Sequence, residues 1–273
     1  MSEITPRIDF ATELSGLFQL KGKTAYVPGG YGGIGEAICW ALHLAGASVA
    51  ISGRDAAQAE ALAGRIREAG GQAVGLRMDA HSVPDIQASV AQVADAVGGI
   101  GGIDILVNCV GMQREQALLD VTEATYDEVL QVNLKCAMFL AQAVAKQQIA
   151  AGRGGSQIHL LSVRAQLGLQ GRGYSAYCSS KGGLVMLIRQ HASELAVHGI
   201  TVNGIAPTVV RTEMARHWLE NPQTRQQVLD RIPLHRVAEP KDVAGAAVFF
   251  ASPGAAFISG QILYLDGGLT ACQ

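Results

Sequence analysis

Short apolar runs alternate along this chain with longer segments whose apolar positions recur at helical spacing. The runs at residues 23–28, 47–52, 72–78, 104–108, 156–162, 200–205 and 261–265 predict seven β-strands. Between them the pattern predicts helices over about 34–45, 56–69, 84–97, 123–149 and 174–197. The strands are apolar along most of their length, as strands are when helices cover both faces of the sheet. Strict strand-then-helix alternation implies parallel strands joined by right-handed crossovers. The expected fold is therefore α/β, a Rossmann-type doubly wound parallel sheet of about seven strands with helices on both faces. The glycine cluster at 98–102 reads as a surface turn ahead of the fourth strand. Composition shifts nowhere sharply enough to mark a linker, and no repeat recurs, so residues 1–273 are expected to form one domain.

Composition narrows the function classes. The 273 residues are 49% hydrophobic and 16% charged, with 21 basic and 23 acidic side chains and a net charge of -2. Such a balance leaves no electrostatic footprint for nucleic acid or an anionic membrane. No apolar run is long enough to span a bilayer, and residues 1–14 lack the basic-then-apolar pattern of a leader. A cytoplasmic protein acting on small molecules is expected. The 5 cysteines are irregularly spaced without a C-x-x-C pair, and the 7 histidines are scattered. Neither a disulfide framework nor a metal site is expected.

The first strand runs into Pro28-Gly29-Gly30-Tyr31-Gly32-Gly33-Ile34-Gly35 and then a helix. In a doubly wound sheet a dinucleotide docks here: glycines let the backbone approach phosphate, and the helix N-terminus offers free N–H groups. At the tip of the second strand an acid selects NAD, whereas a basic residue accommodates the 2′-phosphate of NADP. Here Gly53 stands in the acid's place and Arg54 follows, which favours NADP(H) with NAD(H) as the alternative. Asp55 reads as a helix N-cap. Against NADP(H), Gly32 supplies no second basic group in the loop.

Tyr177 and Lys181 lie four residues apart at the start of a predicted helix, which places both on one face. An ammonium beside a phenol favours the phenolate and brings the group nearer to working pH. Two more polar residues precede them, Ser162 at the end of the fifth strand and Asn133 in the long helix.

This set, in this order, resembles the short-chain dehydrogenase/reductase family from about Leu17 to Leu269. The loop at 28–35 matches T-G-x-x-x-G-I-G except at its first residue. Asn108-Cys109-Val110-Gly111 aligns with N-N-A-G, and Asp79, followed by Ala80, with the acid that caps the adenine pocket. Asn133, Ser162, Tyr177 and Lys181 fall on the Asn-Ser-Tyr-Lys tetrad, Pro207–Thr212 on P-G-x-V-x-T, and Asp266-Gly267-Gly268 on D-G-G. The resemblance implies that Tyr177 exchanges a proton with the substrate oxygen as hydride moves. Lys181 would depress the Tyr177 pKa and hold the nicotinamide ribose, Ser162 would hydrogen-bond the substrate oxygen, and Asn133 would position a water linking Lys181 to solvent. Gly29, Tyr31, Gly33, Ile34, Gly35, Arg54, Asp79, Ala80, Asn108, Gly111, Pro207, Val210 and Thr212 would contact the cofactor.

Three positions depart from the pattern: Pro28 for Thr, Cys109-Val110 for Asn-Ala, and Thr208 for Gly. They bear on cofactor affinity. Arg164, just after Ser162, reads either as a substrate anion or hydroxyl contact or as a surface charge. Tyr174 reads as a pocket or structural tyrosine, and Cys178 as a packing residue. The polar stretch at about 208–238 corresponds to the family's lid, where Trp218 either lines the substrate pocket or packs the lid's underside.

The segment 17–23, Gly53-Arg54 and the C-terminal tail resemble the gluconate 5-dehydrogenase branch, implying a polyol, sugar acid or related hydroxy/keto substrate. The alternatives are a 3-oxoacyl carrier-protein reductase or broad ketone reductase, with Arg211, Arg216 and Arg225 as a basic mouth. A reading of another class is a non-catalytic nucleotide sensor or scaffold. The family implies a homotetramer, with a dimer second.

Overall fold

The computed structural model describes residues 10–96 and 102–272. Val97 and the glycines at 98, 99 and 101 lie outside those residues, as does most of the segment 1–14. All seven expected strands form: β1 (Thr24–Pro28), β2 (Ser48–Gly53), β3 (Ala73–Arg77), β4 (Ile105–Asn108), β5 (Gly155–Leu160), β6 (Ile200–Pro207) and β7 (Ile262–Leu265). They pair in parallel in one sheet of order β3-β2-β1-β4-β5-β6-β7. Winding reverses between β1 and β4, and that switch point opens a crevice beyond the carboxyl ends of the strands.

The helices are α1 (Phe10–Leu14), α2 (Gly33–Leu44), α3 (Ala56–Glu68), α4 (Val83–Ala96), α5 (Glu123–Leu130), α6 (Cys136–Ala151), α7 (Ser175–Leu195), α8 (Arg216–Glu220), α9 (Pro222–Leu229) and α10 (Pro240–Ala251). Alternate strand residues feed two opposite cores. Val27, Ile51, Val107 and Ile158 pack with Ile38 and Leu42 of α2, Ile66 of α3 and Phe250 of α10. Tyr26, Ala50 and Leu106 face Ile86 and Val90 of α4 and Leu140 of α6. Leu161, Val202 and Ala206 meet Leu184 and Ile188 of α7. Both faces of each central strand are thus covered, which is why these strands read as continuous apolar runs. Edge strand β3 is only half-buried.

Two helices differ from expectation. The long helix expected over 123–149 is two helices, α5 and α6, joined by a π-helical turn at Gln131–Lys135. One residue added to a helical turn leaves the apolar period of a long window almost unchanged, so the pattern does not register it. Helix α10 was not expected: the run 243–251 is so apolar that no polar face marks a period. Its start is nevertheless written locally, by Pro240 at the first turn and a reciprocal capping box between Glu239 and Asp242.

Candidate active site

The glycine loop owes its shape to close backbone approaches. Gly29 sits at φ 74, and a Cβ there would lie 2.9 Å from the carbonyl carbon and oxygen of Cys109. A Cβ on Gly35 would meet the Gly29 carbonyl at 2.4 Å, and one on Gly33 would meet Thr212 Cγ2 at 2.9 Å. Only glycine fits at these places. Pro28 has lost the family's threonine hydroxyl, but its carbonyl accepts the Cys109 N–H at 2.9 Å, so the tie to the β4 turn is made by backbone. Gly32 caps α2 without any side-chain hydrogen bond, leaving the first-turn amides of the helix open to an anion.

Gly29, Tyr31, Gly33, Ile34, Gly35, Arg54, Ala80, Gly111 and Thr212 line one cleft of about 460 Å³ across the switch point. At its far end Tyr31 lies over Gly53 and accepts the Asp55 N–H at 3.1 Å. Asp55 itself caps α3, accepting from Ala57 and Gln58 N–H. Arg54 is exposed at the cleft and has no ion pair among the described residues. Gly111 faces Lys181: a Cβ there would reach 3.5 Å from Nζ, so its absence leaves the ammonium approachable from the cleft. The cradle of glycines, the open amides and the guanidinium, which has no ion pair among the described residues, together fit a nicotinamide dinucleotide.

Of the other expected contacts, Pro207 and Val210 line the neighbouring pocket, and Asp79 and Asn108 stand behind the cleft lining. Asp79 accepts from the His81 backbone N–H and pairs with its imidazole Nδ1, both at 3.0 Å, leaving Ala80 and His81 to line the cleft. Those hydrogen bonds hold its carboxyl below the usual range. Asn108 is buried, its Oδ1 accepting the Val110 N–H at 3.1 Å and its amide 3.3 Å from His159 Nδ1. It shapes the β4 turn from behind.

The π-helical turn points Asn133 inward, where it is buried. Asn133 Oδ1 accepts the Met112 N–H at 2.8 Å, while Nδ2 donates to the Met112 carbonyl and to Ser180 Oγ, both at 2.9 Å. Ser180 Oγ in turn donates to the Tyr177 carbonyl at 2.7 Å. The asparagine side chain therefore clamps the loop after β4 to the first turns of α7. Sequence reading missed Ser180, although it stands beside Lys181.

Lys181 is buried and its Nζ donates to the Leu160 carbonyl at 2.8 Å, 5.8 Å from the centre of the Tyr177 ring. Burial pulls the ammonium down to about 8. Tyr177 departs from expectation. Burial pushes its phenol above the ordinary value, opposed by a hydrogen bond with Ser162 and by the charge of Arg164. Burial outweighs the groups that favour the phenolate, so the expected depression does not emerge.

Ser162 and Tyr177 line a second pocket, with Arg164, Gln113, Tyr174, Pro207, Val210 and Trp218. Ile34, Thr212 and Met214 belong to both cavities, so the two adjoin along these residues. Tyr174 packs edge-on against Tyr177, with ring centres 6.0 Å apart, and stacks on Trp218 at 6.3 Å. The Arg172 guanidinium lies over the indole of Trp218 at 4.5 Å and pairs with Glu115. Trp218 lies in α8 and thus lines the pocket from the segment 208–238. Thr208 donates its N–H to Leu265 and avoids the left-handed region, which among described non-glycine residues only His235 enters. Gln113 was missed, though it lies just past the carboxyl end of β4 at the switch point, where ligands are bound.

Among the described residues no cluster of His, Cys, Asp or Glu is disposed to hold a metal ion, and no helix is long and apolar enough to cross a membrane.

Comparison with known proteins agrees with this geometry. A family model described as enoyl-(acyl carrier protein) reductase matches residues 29–270. D-threitol dehydrogenase of Mycolicibacterium smegmatis is 40% identical over 255 residues, covering 93% of this chain and 95% of that protein. The 5-keto-D-gluconate 5-reductase of Escherichia coli K12 is 32% identical, covering 94% of this chain and 98% of its own. The structure of a gluconate 5-dehydrogenase from Burkholderia cenocepacia in complex with NADP and tartrate superposes with a TM-score of 0.89 at 33% identity, over 94% of this chain and 98% of that one. On the match along nearly its whole length, the chain belongs to the short-chain dehydrogenase/reductase family of nicotinamide-dependent oxidoreductases.

Proposed function

We propose that this enzyme transfers a hydride between NADP(H) and the carbonyl or secondary alcohol of a polyol, sugar acid or related hydroxy/keto compound. The observation that carries the reading is that Ser162 and Tyr177 line together a pocket that adjoins the nucleotide cleft along Ile34, Thr212 and Met214. The names of the relatives, which act on threitol and keto-gluconate, support the substrate class. Arg54 beside Gly53, and the NADP held by the Burkholderia structure, support the phosphorylated cofactor.

When bound, the nicotinamide supplies or accepts the hydride. Tyr177 gives its hydroxyl proton to the substrate oxygen during reduction and takes it back during oxidation. Ser162 donates to the same oxygen and stabilises the charge that develops on it. Lys181 holds the nicotinamide ribose and keeps a positive charge beneath the phenol. Asn133 acts through the Met112 loop and Ser180, positioning Tyr177 and Lys181. Single-domain organisation over 1–273 and closure of the segment 208–238 over substrate belong to the same proposal, as does a cytoplasmic homotetramer or dimer. Exposed Met138 and Ile149 on α6 and Met186 on α7 offer surfaces for pairing between subunits, and a monomer by light scattering would contradict that part.

The carrier-protein reading needs a free basic mouth. Arg211 is paired with Glu239, and Arg216 with Glu213 and Glu220, which leaves that surface largely neutralised. The test is oxidation of NADPH against a panel of ketones and keto acids. Turnover of sugar-derived members is expected, with Tyr177→Phe lowering kcat by roughly 10²–10⁴ while NADPH still binds. Cofactor binding without turnover of any member would favour the sensor instead.

A further inference from the structure

The wall of the second pocket carries a cation with no counter-ion among the described residues. Arg164 is half-buried between Ser162 and the loop 165–169. Its Nη1 donates to the carbonyls of Leu167 and Gly168, at 3.2 and 2.6 Å, which fixes the guanidinium in place. No carboxylate pairs with it among the described residues, and its remaining donors have no protein acceptor there. Burial disfavours its charge, and Arg231 opposes it further. A desolvated guanidinium without an anion is costly to keep unless a ligand supplies one.

A second group in the same pocket is equally unserved. The amide nitrogen of Gln113 is buried without a hydrogen-bond partner among the described residues, and Gln113 lines the pocket with Arg164, Ser162 and Tyr177. Much of the remaining wall is carbon, including Leu169, Tyr174 and Trp218. Polar recognition is therefore concentrated on two donors and the reacting pair.

We infer that Arg164 and Gln113 form an acid-recognition subsite, with the guanidinium binding a substrate carboxylate and the amide an oxygen beside it. A guanidinium fork matches a carboxylate better than a lone hydroxyl, and bidentate pairing fixes the acid's orientation. This rests on the hydride-transfer reading only for the identity of the reacting carbon, which the bound acid presents to Ser162 and Tyr177. Among the compounds that reading allows, it selects keto and hydroxy acids over neutral polyols.

The test is calorimetric titration of the NADP-loaded protein with matched pairs, D-gluconate against D-glucitol and cyclohexanecarboxylate against cyclohexylmethanol. In at least one pair the acid should bind roughly 10- to 100-fold tighter than its alcohol. Arg164→Met should bring that ratio to about one, and Arg164→Lys should keep part of it, with NADP affinity unchanged in both. The lysine variant and melting curves separate loss of the cation from collapse of the 165–169 loop. Equal binding within both pairs, failure of both acids to bind, or an acid preference that survives Arg164→Met would each overturn the subsite. An acid preference without turnover of any carbonyl compound would leave the subsite standing and refute the hydride-transfer reading. Turnover of neutral ketones without acid preference would do the reverse.

Discussion

The ring of Tyr31 packs so closely on Gly53 that a Cβ at residue 53 would come within 2.3 Å of Tyr31 Cε1. The tip of β2 thus has a glycine where an NAD-selecting acid is expected, and the room for that acid is filled by an aromatic side chain from the glycine loop.

Cofactor choice should follow from this contact. Arg54→Ala should reduce the NADPH-over-NADH ratio of kcat/KM roughly 10-fold or more, since a phosphate loses its guanidinium. Gly53→Asp alone should impair both cofactors, because the ring must swing away and give up its hydrogen bond to the Asp55 N–H. Adding Tyr31→Ser should restore activity with NADH. An Arg54→Ala enzyme with unaltered preference would place the 2′-phosphate elsewhere.

Lys181 should reveal its burial in the pH dependence of stability. Its folded pKa of about 8 lies below the unfolded value of roughly 10.4. Between those values the unfolded chain binds more protons, so this lysine's contribution to stability rises with pH through the window. Lys181→Met should therefore be more stable than wild type by up to about 3 kcal/mol below pH 8. Loss of the bond to Leu160 opposes part of that gain, and the gap should narrow towards pH 10.4. Urea melts across pH 7–10.5 measure it, and a gap independent of pH would contradict the assignment.

Asn133→Ala should cost stability as well as turnover. It strands the N–H and carbonyl of Met112 and the hydroxyl of Ser180, a loss of roughly 1–3 kcal/mol per unmet buried group. Asn133→Asp keeps the acceptor for Met112 N–H but sets a buried carboxylate oxygen against the Met112 carbonyl, so it should cost at least as much stability as alanine. Melting curves and kcat measured on the same samples check this. Wild-type stability with lost turnover would move Asn133 from a positioning role to direct chemistry.

His159 should make the fold sensitive to acid. It is buried, its Nε2 has no partner among the described residues, and burial, with the charges of His191 and Lys181, holds the imidazole down to about 3. Below the unfolded value near 6.5 the unfolded chain takes up a proton that the folded one refuses, so stability falls as pH drops. His159→Asn should remove most of a loss of roughly 3 kcal/mol between pH 6.5 and 4. His191, also pushed down by burial, accounts for a remainder. Parallel melting profiles of variant and wild type would refute the assignment.

Much of this enzyme was legible in the order of its residues. Strands covered on both faces, such as β1 and β5, announce themselves as apolar runs because neither face meets water. The glycine loop and the Ser162, Tyr177 and Lys181 spacing are local patterns whose geometry follows from strand and helix repeats. Tertiary structure decided what depends on groups distant in the chain. It placed one extra residue in a helical turn so that Asn133 faces Met112 and Ser180, and it set Tyr31 on Gly53 across 22 residues. It also left the Arg164 guanidinium without a carboxylate and the Gln113 amide nitrogen without an acceptor among the described residues, both in one cavity, and burial raised the Tyr177 phenol where a depression was expected. Burial and hydrogen-bond satisfaction are properties of the packed chain, and no local pattern of residues states them.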